Sequence, residues 1–201
     1  VPTGGSSFTA QTTLKRFSVQ NAGGPGSATL SSTANISVGS YLIPINPPQP
    51  DASANLDDGD ARIGSTCFQV GNVIYAAHAV NVGTIANPLA ALRWYKLNAA
   101  NNTLIQAGVI SNSSVHYFYP SIAANSNGVI VIGFNGCGTN SFVSSYAVVG
   151  ETVAGITTFG TPMLLKSGTA SYNDPGLDGT SRWGDYSATT PDPTNPNGFW
   201  T

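Results

Sequence analysis

Arg182-Trp183-Gly184-Asp185-Tyr186-Ser187, followed by Asp192-Pro193 and then Gly198-Phe199-Trp200-Thr201, is the stretch that decides the fold. It repeats, in degenerate form, a pattern present twice upstream. One copy runs from Asp60-Ala61-Arg62-Ile63-Gly64-Ser65 into Val73-Ile74-Tyr75-Ala76-Ala77-His78. The other runs from Tyr119-Pro120-Ser121-Ile122-Ala123-Ala124 through Asn127-Gly128 into Val129-Ile130-Val131-Ile132-Gly133-Phe134. Each reads as a strand, a Gly/Asn/Pro turn and a second strand, at a spacing of roughly 60 residues. A recurrent all-β unit of that size predicts β-propeller blades.

Outward from these copies, helical periodicity is absent. Short runs of Val, Ile, Tyr, Phe and Thr alternate with clusters of Gly, Asn and Pro, the pattern of strands and turns. Residues 1–45 read as the outer half of a blade, with strands near 12–19 and 28–38. Residues 44–60 hold four prolines and no periodicity, and read as an extended connection. Residues 60–112 form the clearest blade, with strands at 62–70, 73–80, 90–97 and 103–110. The first two turn at Gly71-Asn72, a pair suited to tight hairpins. A second blade spans 117–167, with strands at 121–124, 129–134, 142–149 and 155–165. Residues 181–201 supply an inner half-blade. The sum is about three blade-equivalents, whereas closed propellers generally have four or more. The expectation is therefore a segment of a larger propeller, or one completed by a second protein chain.

Charged residues make up 8 % of the 201 residues, against about 25 % in an average soluble domain. Hydroxyls and amides must wet the surface instead. The net charge is −2 and the longest basic stretch is Lys15-Arg16, which excludes a nucleic-acid binder needing a clustered positive field. No apolar run reaches the roughly 18 residues of a membrane span. Val1 begins no signal-peptide pattern, so a secreted protein with this sequence has already lost its signal.

Cys67 and Cys137 are too far apart for a CxxC redox or zinc motif. Neighbouring blades would bring them together as a disulfide; the alternative is two buried thiols. Asn35, Asn101 and Asn112 begin Asn-x-Ser/Thr sequons, informative if the source glycosylates.

Arg182, Asp185 and Tyr186 form the best polar cluster for a ligand, with Trp183 as a stacking platform for a sugar, and with Tyr119 and Arg62 as further candidates. The competing reading is architectural, because Asp60 and Arg62 repeat the same residue types in another unit. Asp57, Asp58 and Asp60 around Gly59 suit a hard cation such as Ca²⁺, and Asp174 and Asp178 flank a second such turn at Pro175-Gly176. Solvated turn aspartates are the alternative. His78 and His116 lie in no nucleophile elbow and no His-x-x-x-His spacing, so hydrogen-bonded structural roles are expected.

Asp57-Asp58-Gly59-Asp60-Ala61-Arg62, Arg93-Trp94-Tyr95, Tyr119-Pro120-Ser121-Ile122-Ala123 and Arg182-Trp183-Gly184-Asp185-Tyr186-Ser187, taken in order, resemble a family of secreted bacterial β-propeller proteins. That family is grouped loosely with the sialidase-like (BNR repeat) superfamily. The resemblance spans nearly the whole chain and implies a fold and an extracellular location rather than an activity. Sialidase chemistry in the superfamily uses three arginines, a Tyr–Glu pair and an Asp. Here the only glutamate is Glu151, in a Gly-Glu-Thr turn, and the Asp-box turn is matched only loosely by Ala124-Asn125-Ser126-Asn127-Gly128. A glycosidase in this chain would draw on aspartates.

These readings converge on an extracellular β-propeller binding or structural module for carbohydrate or a cell surface, with no catalytic centre of its own. The alternatives are a glycan-active hydrolase or lyase with catalytic groups partly outside this chain, or a subunit of an extracellular assembly. An enzyme should gather carboxylates with shifted pKa values in one pocket; a binding module should present rings and hydroxyls.

Overall fold

The computed structural model describes residues 9–21, 23–84, 86–174 and 179–201. The chain is all-β. Strands β1 (Gln11–Asn21) and β2 (Ala28–Tyr41) form an antiparallel hairpin. Strands β3 (Phe68–Val70), β4 (Val73–Asn81), β5 (Ala90–Asn98) and β6 (Thr103–Ile110) form a four-stranded antiparallel meander in sequence order. A second meander follows: β7 (His116–Ala124), β8 (Val129–Gly138), β9 (Ser141–Val153), β10 (Ile156–Phe159) and β11 (Met163–Lys166). Here β10 and β11 share the outer edge of β9, opposite residues 150–153 and 145–147 respectively. Strands β12 (Thr190–Pro191) and β13 (Phe199–Trp200) close the chain as a short hairpin. Among the described residues no sheet closes on itself, and no helix is long and apolar enough to cross a membrane.

Side chains alternate across a strand, so one sheet can present two apolar faces. Tyr75, Ala77, Leu92 and Trp94 point from the first meander into a core shared with Ile122, Ile130, Ile132, Phe134 and Val148 of the second. On the opposite face Tyr95 and Leu97 meet Leu14, Ile36 and Val38 of the β1–β2 hairpin. Burial on both faces makes β4 and β5 almost continuously apolar. Polar ties fix the hairpin: Arg16 donates to the Ala99 carbonyl (2.6 Å) and Asn102 Oδ1 (2.7 Å), and Arg93 to the Ser40 carbonyl (2.7 Å).

The C-terminal hairpin covers the far face of the second meander. Gly133 leaves that face bare, and hydroxyls fill the space: Ser121 Oγ meets Thr189 Oγ1 at 2.7 Å, which meets Thr201 Oγ1 at 2.8 Å. A Cβ at Gly133 would collide with the Thr201 hydroxyl and lie 2.9 Å from that of Thr189. Gly133→Ala is therefore expected to destabilise the protein by about 1–3 kcal/mol and to release β12–β13 first. Hydrogen exchange at residues 198–200 checks this; unchanged protection there would contradict it.

The strands expected at 73–80, 90–97 and 103–110 are present, each within a residue or so. Three expectations are corrected. The single strand expected at 155–165 is two, β10 and β11. Of residues 62–70 only the last three join the ladder. Residues 182–187, expected to open a strand, make no ladder either; Gly184 turns the chain there with φ +50. Residues 44–60 are an extended connection, as expected, but also a packed one. Leu56 bridges Ser181 in parallel, and the buried Gln49 amide donates to the Ala54 and Tyr172 carbonyls and accepts from the Tyr172 N–H. A third core cluster of Leu56, Ala79, Phe118, Cys137 and Val143 pins this end of the stack.

Candidate functional site

Both departures from regular strand border one cavity of about 480 Å³. Its walls are residues 57–65, residues 182–187 and the middle of β7. Local chemistry explains why these segments leave their ladders. Asp57 Oδ1 accepts from the Gly59 N–H (2.7 Å) and Asp60 Oδ1 from the Arg62 N–H (2.6 Å), so side chains take backbone donors that a strand would need. In β7 the register breaks between Phe118 and Ser121, Pro120 offers no donor, and Tyr119 adopts φ +49. A positive φ at a bulky residue is strained and persists only when its surroundings hold it. Ser187 Oγ does so, donating to the Tyr119 carbonyl at 2.7 Å. The Tyr119 ring lies against Gly59, where a Cβ would sit 3.1 Å from it and where φ is +74, so glycine is required twice over.

Charges in the cavity are largely paired. Arg182 donates to Asp185 and lies 3.6 Å from Asp57; Arg62 Nε lies 2.5 Å from Asp60. Both guanidinium side chains are well exposed, so these pairs organise the rim more than they stabilise the fold. Asp58 differs. It is 2 % exposed, on the cavity wall, and neither carboxyl oxygen has a hydrogen-bond partner. Burial, then the charges of Asp57 and Asp60, push its pKa up to about 8. Burial also raises the Tyr119 phenol, with Asp57, Asp185 and Asp58 adding to the shift.

His78 supports the acidic loop from within. Its Nδ1 lies 2.6 Å from the Ala61 carbonyl and its Nε2 2.9 Å from the Tyr95 hydroxyl. The carbonyl can only accept, so Nδ1 carries the proton and Nε2 accepts from Tyr95. Burial depresses the His78 pKa to about 4. The imidazole is thus a neutral structural group, and His116 is likewise hydrogen-bonded, accepting at Nδ1 from the Ala90 N–H (3.2 Å).

Of the residues singled out for a ligand, Arg62, Tyr119, Arg182, Asp185 and Tyr186 all line this cavity. Trp183 does not. It turns inward against Tyr172, ring centroids 5.2 Å apart, and the open ring is Tyr186, 75 % exposed. The exposed ring at this cavity is thus Tyr186 rather than the expected Trp183. The carboxylates expected to hold Ca²⁺ do not converge: Asp57 and Asp60 are engaged with backbone and guanidinium groups. Among the described residues no three His, Cys, Asp or Glu side chains are placed to share an ion. Asp174 is exposed, with the Tyr172 hydroxyl at 3.4 Å; Asp178 lies outside the described residues.

The cysteines are not joined. Cys67 is exposed ahead of β3, whereas Cys137 is buried at the end of β8 beside Phe118. Cys137 Sγ donates to the Pro48 carbonyl (3.4 Å), and burial pushes its thiol up to about 12. Asn35, Asn101 and Asn112 are all exposed. What the sequence reading missed is the separate character of Asp58. The available signal was its place two residues after Leu56 in an extended segment, which puts both on the buried side. No protein-family model, no curated protein and no solved structure matches this chain.

Proposed function

We propose that the protein is an extracellular binding module built from β-propeller blades, and that the cavity between residues 57–65, 182–187 and Tyr119 takes a carbohydrate. The blade reading is supported by the order of the sheets: a two-stranded hairpin, two meanders packed face to face, and a second hairpin. The low charge, with hydroxyls and amides in its place, supports an extracellular setting.

The observation that carries the ligand class is the company Tyr186 keeps. An exposed ring stands beside Tyr119 and a rim of alternating carboxylates and guanidiniums. A sugar offers such a site both an apolar C–H face for the ring and hydroxyls that donate and accept. Binding is favoured over hydrolysis because Asp57, Asp60 and Asp185 are all tied to guanidiniums. Glycoside hydrolysis needs a second carboxylate free to act as nucleophile or base. Asp58, with its raised pKa, is the feature that favours the hydrolase alternative.

Titration with neutral and charged oligosaccharides tests the proposal. Tyr186→Ala is expected to weaken binding about tenfold, the loss of one stacking contact, with an unchanged fold. Absence of binding by the parent protein, or equal binding by the variant, would overturn it.

A further inference from the structure

We infer that the ligand of this cleft bears a positively charged amine: an amino sugar with a free ammonium group, rather than an acidic or a neutral sugar. The inference rests on the carbohydrate reading and narrows it. The cavity holds four carboxyl side chains, Asp57, Asp58, Asp60 and Asp185, against the two guanidiniums of Arg62 and Arg182. Each arginine already faces a carboxylate, Arg62 through Nε to Asp60 and Arg182 to Asp185 and Asp57, so the carboxyl groups outnumber the cations that could receive an anion. The chain's other two arginines are also committed elsewhere, Arg16 to the 98–102 turn and Arg93 to Ser40. A carboxylate-bearing sugar would enter a site whose excess charge repels it.

Asp58 supplies the second, independent observation. Among the described residues only Asp58 and Asn81 have buried side-chain polar atoms without a partner, and the Asn81 carbonyl oxygen is satisfied by two N–H groups. A buried carboxyl with both oxygens unpaired is an acceptor awaiting donors, and an ammonium brings three. Once ionised, so buried a carboxylate is screened little by salt.

The charged and titratable groups around Asp58 fix the direction of the proton. Asp57 and Asp60 oppose its ionisation, the neighbouring Cys137 thiol and Tyr119 phenol are neutral, and the two arginines are each paired with a carboxylate. Asp58 is therefore largely protonated at neutral pH. An ammonium beside it favours the carboxylate, so binding sends that proton to the solvent.

The test is calorimetric titration at pH 5.5, where the glucosamine amines already carry their protons, in two buffers of different ionisation enthalpy, with three trisaccharides: glucosamine, its N-acetylated counterpart and galacturonic acid. The free amine is expected to bind at least tenfold more tightly than the N-acetylated sugar, with the acid weakest, and to release up to about one proton per ligand. Asp58→Asn should abolish the release and cut the preference below threefold. If the N-acetylated or acidic sugar binds as tightly as the amine, the inference fails and the carbohydrate reading stands. If none of the three binds, both fail. An amine preference without proton release in the parent protein removes Asp58 from the site, whether or not the variant folds.

Discussion

Replacing Asp58 with asparagine is expected to stabilise the protein at pH 8 by on the order of 3–5 kcal/mol, and to change it little at pH 4. The folded-state pKa of Asp58 is raised from 3.8 to about 8, so between those values the folded protein binds the extra proton. Stability from this group is fully present below pH 4 and is lost as pH rises toward 8, at up to about 1.4 kcal/mol per unit. Asparagine keeps the shape and removes the titration. His78 works on the other side. Its folded pKa is depressed from 6.5 to about 4, so the unfolded chain binds the extra proton. Its contribution is present above pH 6.5 and falls away toward pH 4. Between pH 4 and 6.5 the two slopes oppose and nearly cancel; from pH 6.5 to 8 the Asp58 loss stands alone, and that alkaline limb should be absent in the variant. Urea unfolding at pH 4, 6 and 8 measures this, and parallel profiles for parent and variant would falsify it.

Phe118→Ala should cost about 3–5 kcal/mol, the loss expected for emptying a fully buried aromatic site. Phe118 is completely buried and packs with Leu56, Ala79, Cys137 and Val143, so it joins the connection at 44–60 to both meanders. It also precedes Tyr119, whose positive φ needs a rigid neighbour. The variant should therefore lose ligand affinity as well as stability. Equal melting temperatures for Phe118→Ala and the parent would mean that the cluster is not packed as described.

The meanders were legible because two signals agree in them. Alternation places Tyr75, Ala77, Leu92 and Trp94 on one face, and Gly71, at φ +55, makes the turn its sequence promises. The cavity was legible only in part. Its residue types drew attention, but segments 60–67 and 182–187 match the repeated pattern that the strand expectation rests on. What removes them from the sheets is short-range: aspartate side chains capturing backbone N–H groups, and the turn at Gly184. Those bonds decide that Trp183 faces inward and Tyr186 outward. The separation of Cys67 from Cys137 had no signature at all, because it depends on how residues 62–67 hang off the edge of β3. Whether these sheets are blades of a propeller was argued from repetition, and the sheet order is compatible with it.

The pairing of Leu56 with Ser181, and the bond from Ser65 Oγ to the Ser187 carbonyl across 122 positions, also set an order of events in folding. Each meander closes through neighbours in sequence and can form quickly, whereas contacts between distant segments wait on the slow search that closes a long loop. Both meanders are complete in sequence by Lys166, ahead of residues 181–187. The cleft thus forms after the two meanders, and a ligand held there would engage only chains in which both have already folded.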